Sequence, residues 1–168
     1  TDDPPTIGQH AAAMQEALGA ALTRVGVRSR PRLATEPGRS IVGPSAVTLY
    51  RVGTIKTVDL DESGGSPTYV SIDGGMSDNA RPALYGAVYE AFLPARAAAA
   101  RTRRATIAGK HCEQGDLLIR GAQGPADVAV DDVLAIPVTG AYGYAMANNY
   151  NKVGRPAVVF VSGGQARV

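Results

Sequence analysis

Three observations predict a mostly β fold entered through a single helix. A helical apolar period is confined to the first 25 residues, short β-rich runs broken by glycine, proline and serine fill the chain beyond Pro44, and a Pro-Gly turn separates the two regimes. Within the helix, Met14, Leu18, Leu22 and Val25 recur close to the 3.6-residue period, Thr6 and Gln9 have the spacing of a capping box, and Gly26 is a stop. Pro31 to Thr35 reads as a short strand running into Glu36-Pro37-Gly38-Arg39. A helix, a strand and a glycine turn in succession read as the end of an α/β layer.

After Pro44, Val47, Leu49, Ile55, Val58, Val70 and Ile72 fall in β-rich runs, and further strands are expected at Arg104 to Ala108, Leu117 to Arg120, Val133 to Val138 and Ala157 to Val161. Asp61 to Pro67 is a polar hairpin or loop. Ala95 to Ala100, followed by Arg101, Arg103 and Arg104, reads as a solvated linker rather than a nucleic-acid patch. No internal repeat is visible.

Composition narrows the function. The 168 residues are 45% hydrophobic, enough for one domain with a core, and 17 basic against 15 acidic side chains give a net charge of only +2. So small a field argues against nucleic acid or an anionic membrane as partner. No apolar stretch approaches the ~20 residues of a membrane span, and a single cysteine suits a reducing compartment, so a soluble, cytoplasmic protein is expected. Thr1 stands where an initiator methionine would, which suggests a fragment.

Four stretches carry residues suited to chemistry. In Glu36-Pro37-Gly38-Arg39, glycine lets backbone amides approach an anion and arginine adds a fork of donors; an ordinary Pro-Gly turn with a surface arginine is the plain alternative. In Asp73-Gly74-Gly75-Met76-Ser77-Asp78-Asn79-Ala80-Arg81-Pro82-Ala83-Leu84-Tyr85, Arg81 precedes Tyr85 by one helical turn, so both could address one ligand. The run Gly140-Ala141-Tyr142-Gly143-Tyr144-Ala145-Met146, with Asn148 to Asn151 beyond it, could wall a planar ligand or simply pack its tyrosines under a glycine loop.

The remaining stretch, Gly109-Lys110-His111-Cys112-Glu113-Gln114-Gly115-Asp116, holds the only cysteine. Core filler, metal ligand and proton-transfer group are all open to Cys112. With His10 the sole other histidine there is no credible metal cluster, and His111 alone reads as a structural histidine. Glu113, Gly115 and Asp116 suggest an exposed loop.

Taken in order and at these separations, EPGR, DGGMSDNARPALYG, HCEQGD and GAYGYAMANNYN resemble the C-terminal part of bacterial diaminopimelate decarboxylases, over nearly the whole chain. The resemblance implies a C-terminal β-barrel or sandwich-like domain at residues 45–168. Residues 1–44 would be the last helix and strand of a (β/α)8 barrel that binds pyridoxal 5'-phosphate. It also implies removal of carbon dioxide from meso-diaminopimelate to give L-lysine, in an obligate homodimer whose active sites are shared across the interface.

By the same resemblance, Glu36, Pro37, Gly38 and Arg39 contact the cofactor. Arg39, Arg81 and Tyr85 bind the distal carboxylate of the substrate, Glu113 takes its distal ammonium, and Tyr142 touches cofactor and substrate. Cys112 would be the proton donor, reaching with Glu113 into the other subunit's site. Such a thiol must be protonated before transfer, which a neighbouring carboxylate favours. The family's Schiff-base lysine lies upstream, and Lys56, Lys110 and Lys152 have no matching context, so the chain alone is expected to be inactive. Gln114 stands where serine is common. Two other readings remain: a related decarboxylase of ornithine, arginine or carboxynorspermidine type, and a non-catalytic β module acting by protein association.

Overall fold

The computed structural model describes residues 3–59 and 66–168. Its first element is α1 (Ile7–Val25), and both halves of the capping box are present: the Gln9 amide donates to the Thr6 hydroxyl at 3.2 Å and the Thr6 amide to Gln9 Oε1 at 2.8 Å. Gly26, at φ 70°, closes the helix in the left-handed conformation. No residue of α1 is buried, and Met14, Leu18 and Leu22 are only half-covered.

Pro31 to Thr35 does not form the expected strand. The segment is exposed and irregular, because no described strand lies beside it to complete a ladder and Pro31 has no N–H to offer one. The Glu36-to-Arg39 turn leads instead into a single helical turn, α2 (Arg39–Val42), and a 3-10 turn at Gly43–Ser45.

Beyond it come the sheet strands β1 (Val47–Thr57), β2 (Thr68–Ile72), β3 (Arg103–Ala108), β4 (Leu117–Gly124) and β5 (Val133–Pro137), in spatial order β4-β3-β2-β1-β5. All neighbours are antiparallel except β2 and β3, which run parallel. A parallel pair needs a long crossover, and the connection between β2 and β3 carries α3 (Arg81–Tyr85) and a 3-10 turn at Pro94–Arg96. Register shifts between Val52 and Ile55 in β1 and around Ile107 in β3 bend the strands locally.

Alternation selects most of the residues inside, although Leu118 and Ile119 are neighbours in β4 and both are buried. Tyr50 and Val52 of β1, Val70 and Ile72 of β2, Ile107 of β3, Leu118 and Ile119 of β4, and Leu134 and Ile136 of β5 form one core with Ala91 and Leu93. Val47 and Leu49 fall on the opposite, exposed face. Phe92 exchanges both backbone hydrogen bonds with Ala135 and so covers the free edge of β5.

Near this edge Arg96 pairs with Asp127 at 2.7 Å and with Asp132. Arg103 belongs to β3 and donates to the Thr68 hydroxyl at 3.1 Å, while Arg104 is also in the strand. Of the arginines read as following a solvated linker, Arg101 is indeed exposed and irregular, whereas Arg103 and Arg104 are strand residues, one position more than the strand expected from Arg104. Towards the C-terminus, α4 (Gly143–Met146) and a 3-10 turn at Tyr150–Lys152 precede a separate hairpin, β6 (Phe160–Ser162) and β7 (Gln165–Arg167). Most of the strand expected at Ala157 to Val161 is irregular, because only Phe160 and Val161 find partners on β7. The expected polar hairpin lies, at residues 61–65, outside the described residues. No described helix is long and apolar enough to cross a membrane.

Candidate active site

The loops at one end of the sheet bring three of the four sequence stretches together through their backbones. Lys110 donates its amide to Gly74 O at 2.9 Å, Asn148 donates to Ser77 O at 2.8 Å, and the His111 ring lies 5.4 Å from that of Tyr150. The Glu36-to-Arg39 turn joins from the other side: Gly140 donates to Gly43 O at 3.0 Å and Thr139 to Ala46 O at 3.2 Å.

Gly38 has φ 51°, a left-handed value that suits glycine, and a Cβ added there would run into the Tyr142 hydroxyl. The turn is therefore bare backbone facing a phenol. Tyr142 itself sits at φ 65° as the N-cap of α4, an unusual conformation for an aromatic residue. Its ring is turned to Arg81, whose guanidinium carbon lies 5.3 Å from the Tyr142 centroid and 5.4 Å from that of Tyr85.

Two aromatic faces thus hold one cation. Each such contact is worth ~0.5–2 kcal/mol and fixes the guanidinium without using its N–H donors. The Arg81 Nε is buried with no hydrogen-bond partner among the described residues, so a donor in the centre of the cluster awaits an acceptor. Pro82 at the second position of α3 and Gly86 at φ 61° after it set that single helical turn and hence the Arg81-to-Tyr85 pairing. Gly38, Arg81, Tyr85 and Tyr142 are thereby assembled. Arg39 and Glu36 are exposed, and the aliphatic part of Arg39 packs near Gly43.

Among the described residues, no hydrogen bond, ion pair or ring contact joins Cys112 or Glu113 to this cluster. Both are exposed, and among the described residues Glu113 accepts one hydrogen bond, at 3.2 Å from the Gly115 amide of its own loop. Their neighbours in the loop are the reverse: His111 is 8% exposed and Asp116 only 2%. Asp116 is therefore not part of an exposed loop, as its sequence context suggested. Its Oδ1 accepts the Met76 amide at 2.6 Å and its Oδ2 the His111 amide at 2.8 Å, while His111 Nε2 and Ser77 Oγ share a 2.8 Å hydrogen bond. Buried charge placed against two amides repays its desolvation. Asp116 and Ser77 lie inside the HCEQGD and DGGMSDNARPALYG stretches, but no periodicity marks either as buried; the glycines at 75 and 109 make room for the carboxylate.

A second, partly buried pair joins the same loop to β1. Tyr50 in β1 donates its hydroxyl to Asp78, whose other oxygen accepts the Gly75 amide at 2.8 Å. Burial pushes the Asp78 carboxyl up, partly offset by these hydrogen bonds, and burial with the adjacent carboxylate pushes the Tyr50 phenol far above its ordinary range. Tyr50 is consequently a neutral donor at all working pH values. Among the described residues no three histidine, cysteine or carboxylate side chains gather as metal ligands.

Comparison with known proteins places this architecture. Residues 15–140 match the family model described as pyridoxal-dependent decarboxylase, C-terminal sheet domain. The whole chain is 47% identical to 37% of the diaminopimelate decarboxylase of Mycobacterium bovis, and 138 of its residues are 51% identical to 30% of the Bacillus subtilis protein of that name. The chain thus spans about a third of the length of the curated relatives it matches. Among solved structures, diaminopimelate decarboxylase from M. jannaschi superposes with a TM-score of 0.78 at 34% identity, covering 98% of this chain and 35% of that one. A co-complex of the M. jannaschii enzyme with L-lysine gives a TM-score of 0.71 at 35% identity over 90% of this chain and 33% of that one. Fold, matched span and identity agree that this chain belongs to the pyridoxal-dependent decarboxylases and carries their C-terminal sheet domain.

Proposed function

We propose that this chain is the C-terminal part of a diaminopimelate decarboxylase, which converts meso-diaminopimelate to L-lysine and carbon dioxide in the cytoplasm. The observation that carries the proposal is Arg81 held between Tyr85 and Tyr142, with its Nε buried and unspent, beside the bare Gly38 turn. A substrate whose far end is itself an amino acid needs a cation for its carboxylate, and a fixed guanidinium supplies it. The names of the relatives supply the substrate.

Pyridoxal 5'-phosphate fits this site in one respect: the Tyr142 hydroxyl packs directly on the bare Gly38 backbone, which sets a phenol donor beside a glycine turn of the kind that can approach a phosphate. When bound, that cofactor takes up the electron pair left by the departing carboxylate. Glu36, Pro37, Gly38, Arg39 and Tyr142 would hold it. Residues 1–44 then belong to the barrel that carries the rest of the cofactor site, and 45–168 form the β domain.

The remaining roles fall to this chain's own side chains. Arg81, with Arg39 and Tyr85, binds the distal carboxylate, and Glu113 accepts a charge-assisted hydrogen bond from the distal ammonium. Cys112 holds a proton on Sγ for delivery to the carbon that loses carbon dioxide. Because Cys112 and Glu113 are exposed, a homodimer in which they complete the partner's site is the natural assembly.

The test uses the full-length, cofactor-loaded enzyme. Cys112→Ala and Glu113→Ala should each lower turnover of meso-diaminopimelate by ~100-fold or more while the cofactor's visible absorbance is retained. Lysine formation near the wild-type rate by either variant would overturn their assignment. Equal turnover of ornithine or arginine would favour a related decarboxylase, and no turnover of any of the three a binding module.

A further inference from the structure

We propose that Asp116, supported by the His111–Ser77 pair, is the positioning residue that fixes the Cys112–Glu113 segment to the Arg81 loop. The proposal rests on the roles given above to Cys112 and Arg81. Two loops far apart in sequence, 73–80 and 109–116, meet on one buried carboxylate. Oδ1 takes the Met76 amide of the first and Oδ2 the His111 amide of the second, so neither oxygen is spare and neither loop can shift without breaking a charge-assisted bond. Immediately beyond His111 the chain turns outward into Cys112, whose side chain is exposed.

The space around the carboxylate is built for it. A Cβ on Gly75 would lie 2.5 Å from Asp116 Oδ2, and one on Gly109 would collide with the same oxygen, so both loops are stripped to backbone where they meet it. A second bond then crosses the same gap through side chains, between His111 Nε2 and Ser77 Oγ, with both residues buried. Met76 is five residues before Arg81 and His111 one before Cys112. The carboxylate therefore fixes the Cys112 segment of each subunit to that subunit's own Arg81 loop, and so sets the position from which Cys112 enters the partner's site. Asp116 touches no substrate in this arrangement; it acts through the two loops, and proton delivery is the step most sensitive to their separation.

The experiment is Asp116→Asn in the full-length, cofactor-loaded enzyme, read by amide hydrogen exchange and by steady-state kinetics. The amide group places an NH2 against one of the two backbone donors. Exchange at Met76 and His111 should quicken by ~10-fold or more, and kcat should fall by ~10-fold or more with KM for meso-diaminopimelate changed less than ~3-fold. Unaltered protection at both amides, or an unaltered kcat despite faster exchange, overturns the proposal.

Should the asparagine variant fail to fold, Ser77→Ala removes one hydroxyl only. It should lower kcat by ~3-fold or more at constant KM with faster exchange at His111, and wild-type kcat in that variant overturns the role of the pair. If the wild-type enzyme releases no carbon dioxide from meso-diaminopimelate, the decarboxylase reading fails on its own, and the exchange measurement still decides whether Asp116 joins the loops.

Discussion

Helix α1 and strand β5 encode their structure in opposite ways. The 19 residues of α1 carry a full capping box and a glycine stop, yet none of them is buried. The five residues of β5 carry no local signal beyond β propensity, yet Leu134, Ala135 and Ile136 are all buried. A helix can be specified by its own neighbours, whereas a strand is specified by what lies beside it. Local signals thus say where an element is, and packing says what it is worth.

The largest effect should come from β5. Ile136 is completely buried, and Ile136→Ala should cost ~2–5 kcal/mol through lost burial and the cavity left behind, measured by denaturant unfolding of the intact enzyme. A cost under ~1 kcal/mol would remove β5 from the core. Next comes a change that could break the contrast itself. If residues 1–44 seat on the barrel as proposed, Leu18→Ala should cost ~2 kcal/mol in the intact enzyme, because the half-covered stripe of α1 is then closed over. A change of only a few tenths would leave α1 as a helix held by its caps alone.

The smallest effect concerns Asp78. Its carboxyl is raised in the folded protein, so the folded state holds that proton more tightly than the unfolded chain. The resulting stability is fully present below the unfolded carboxylate pKa of about 3.9 and is lost as pH rises through the folded value. Asp78→Asn keeps a partner for Tyr50 and lacks this dependence. Relative to wild type, the variant's urea midpoint should therefore be most favourable at neutral pH, and the advantage should shrink as pH falls toward about 4. An advantage that grows on acidification would reverse the assigned sign.

What the sequence disclosed follows the same division. The helix, its cap, and five strands of the sheet were legible because apolar spacing and turn residues report them directly. Pro31 to Thr35 misled because its composition is strand-like while no described strand pairs with it. Strand β7 was overlooked although Gly163 and Gly164, both at positive φ, mark its hairpin turn.

In the candidate site, Arg81 with Tyr85 was visible as a helical spacing and Tyr142 as a glycine-flanked aromatic. That Tyr142 would meet both Arg81 and Gly38 was not, since those contacts close over 61 and 104 residues, from 142 less 81 and 142 less 38. Asp116 was misplaced outright: a Gly-Asp pair has the composition of a solvated turn, and only the convergence of two amides from distant loops turns it inward.

The pairing of β1 with β5 has a consequence for how the molecule comes together in time. Arg51 and Val133 are register partners 82 positions apart, from 133 less 51, and the loops bearing Arg81 and Cys112 both lie within that span. Closing a loop of that length costs an entropy of ~4 kcal/mol before any contact repays it. Such non-local pairing is slow to form. The loops that meet on Asp116 leave the adjacent ends of β2 and β3, where Ser71 faces Ala108, so their meeting follows that parallel pairing, and the β1–β5 ladder then closes the sheet around them.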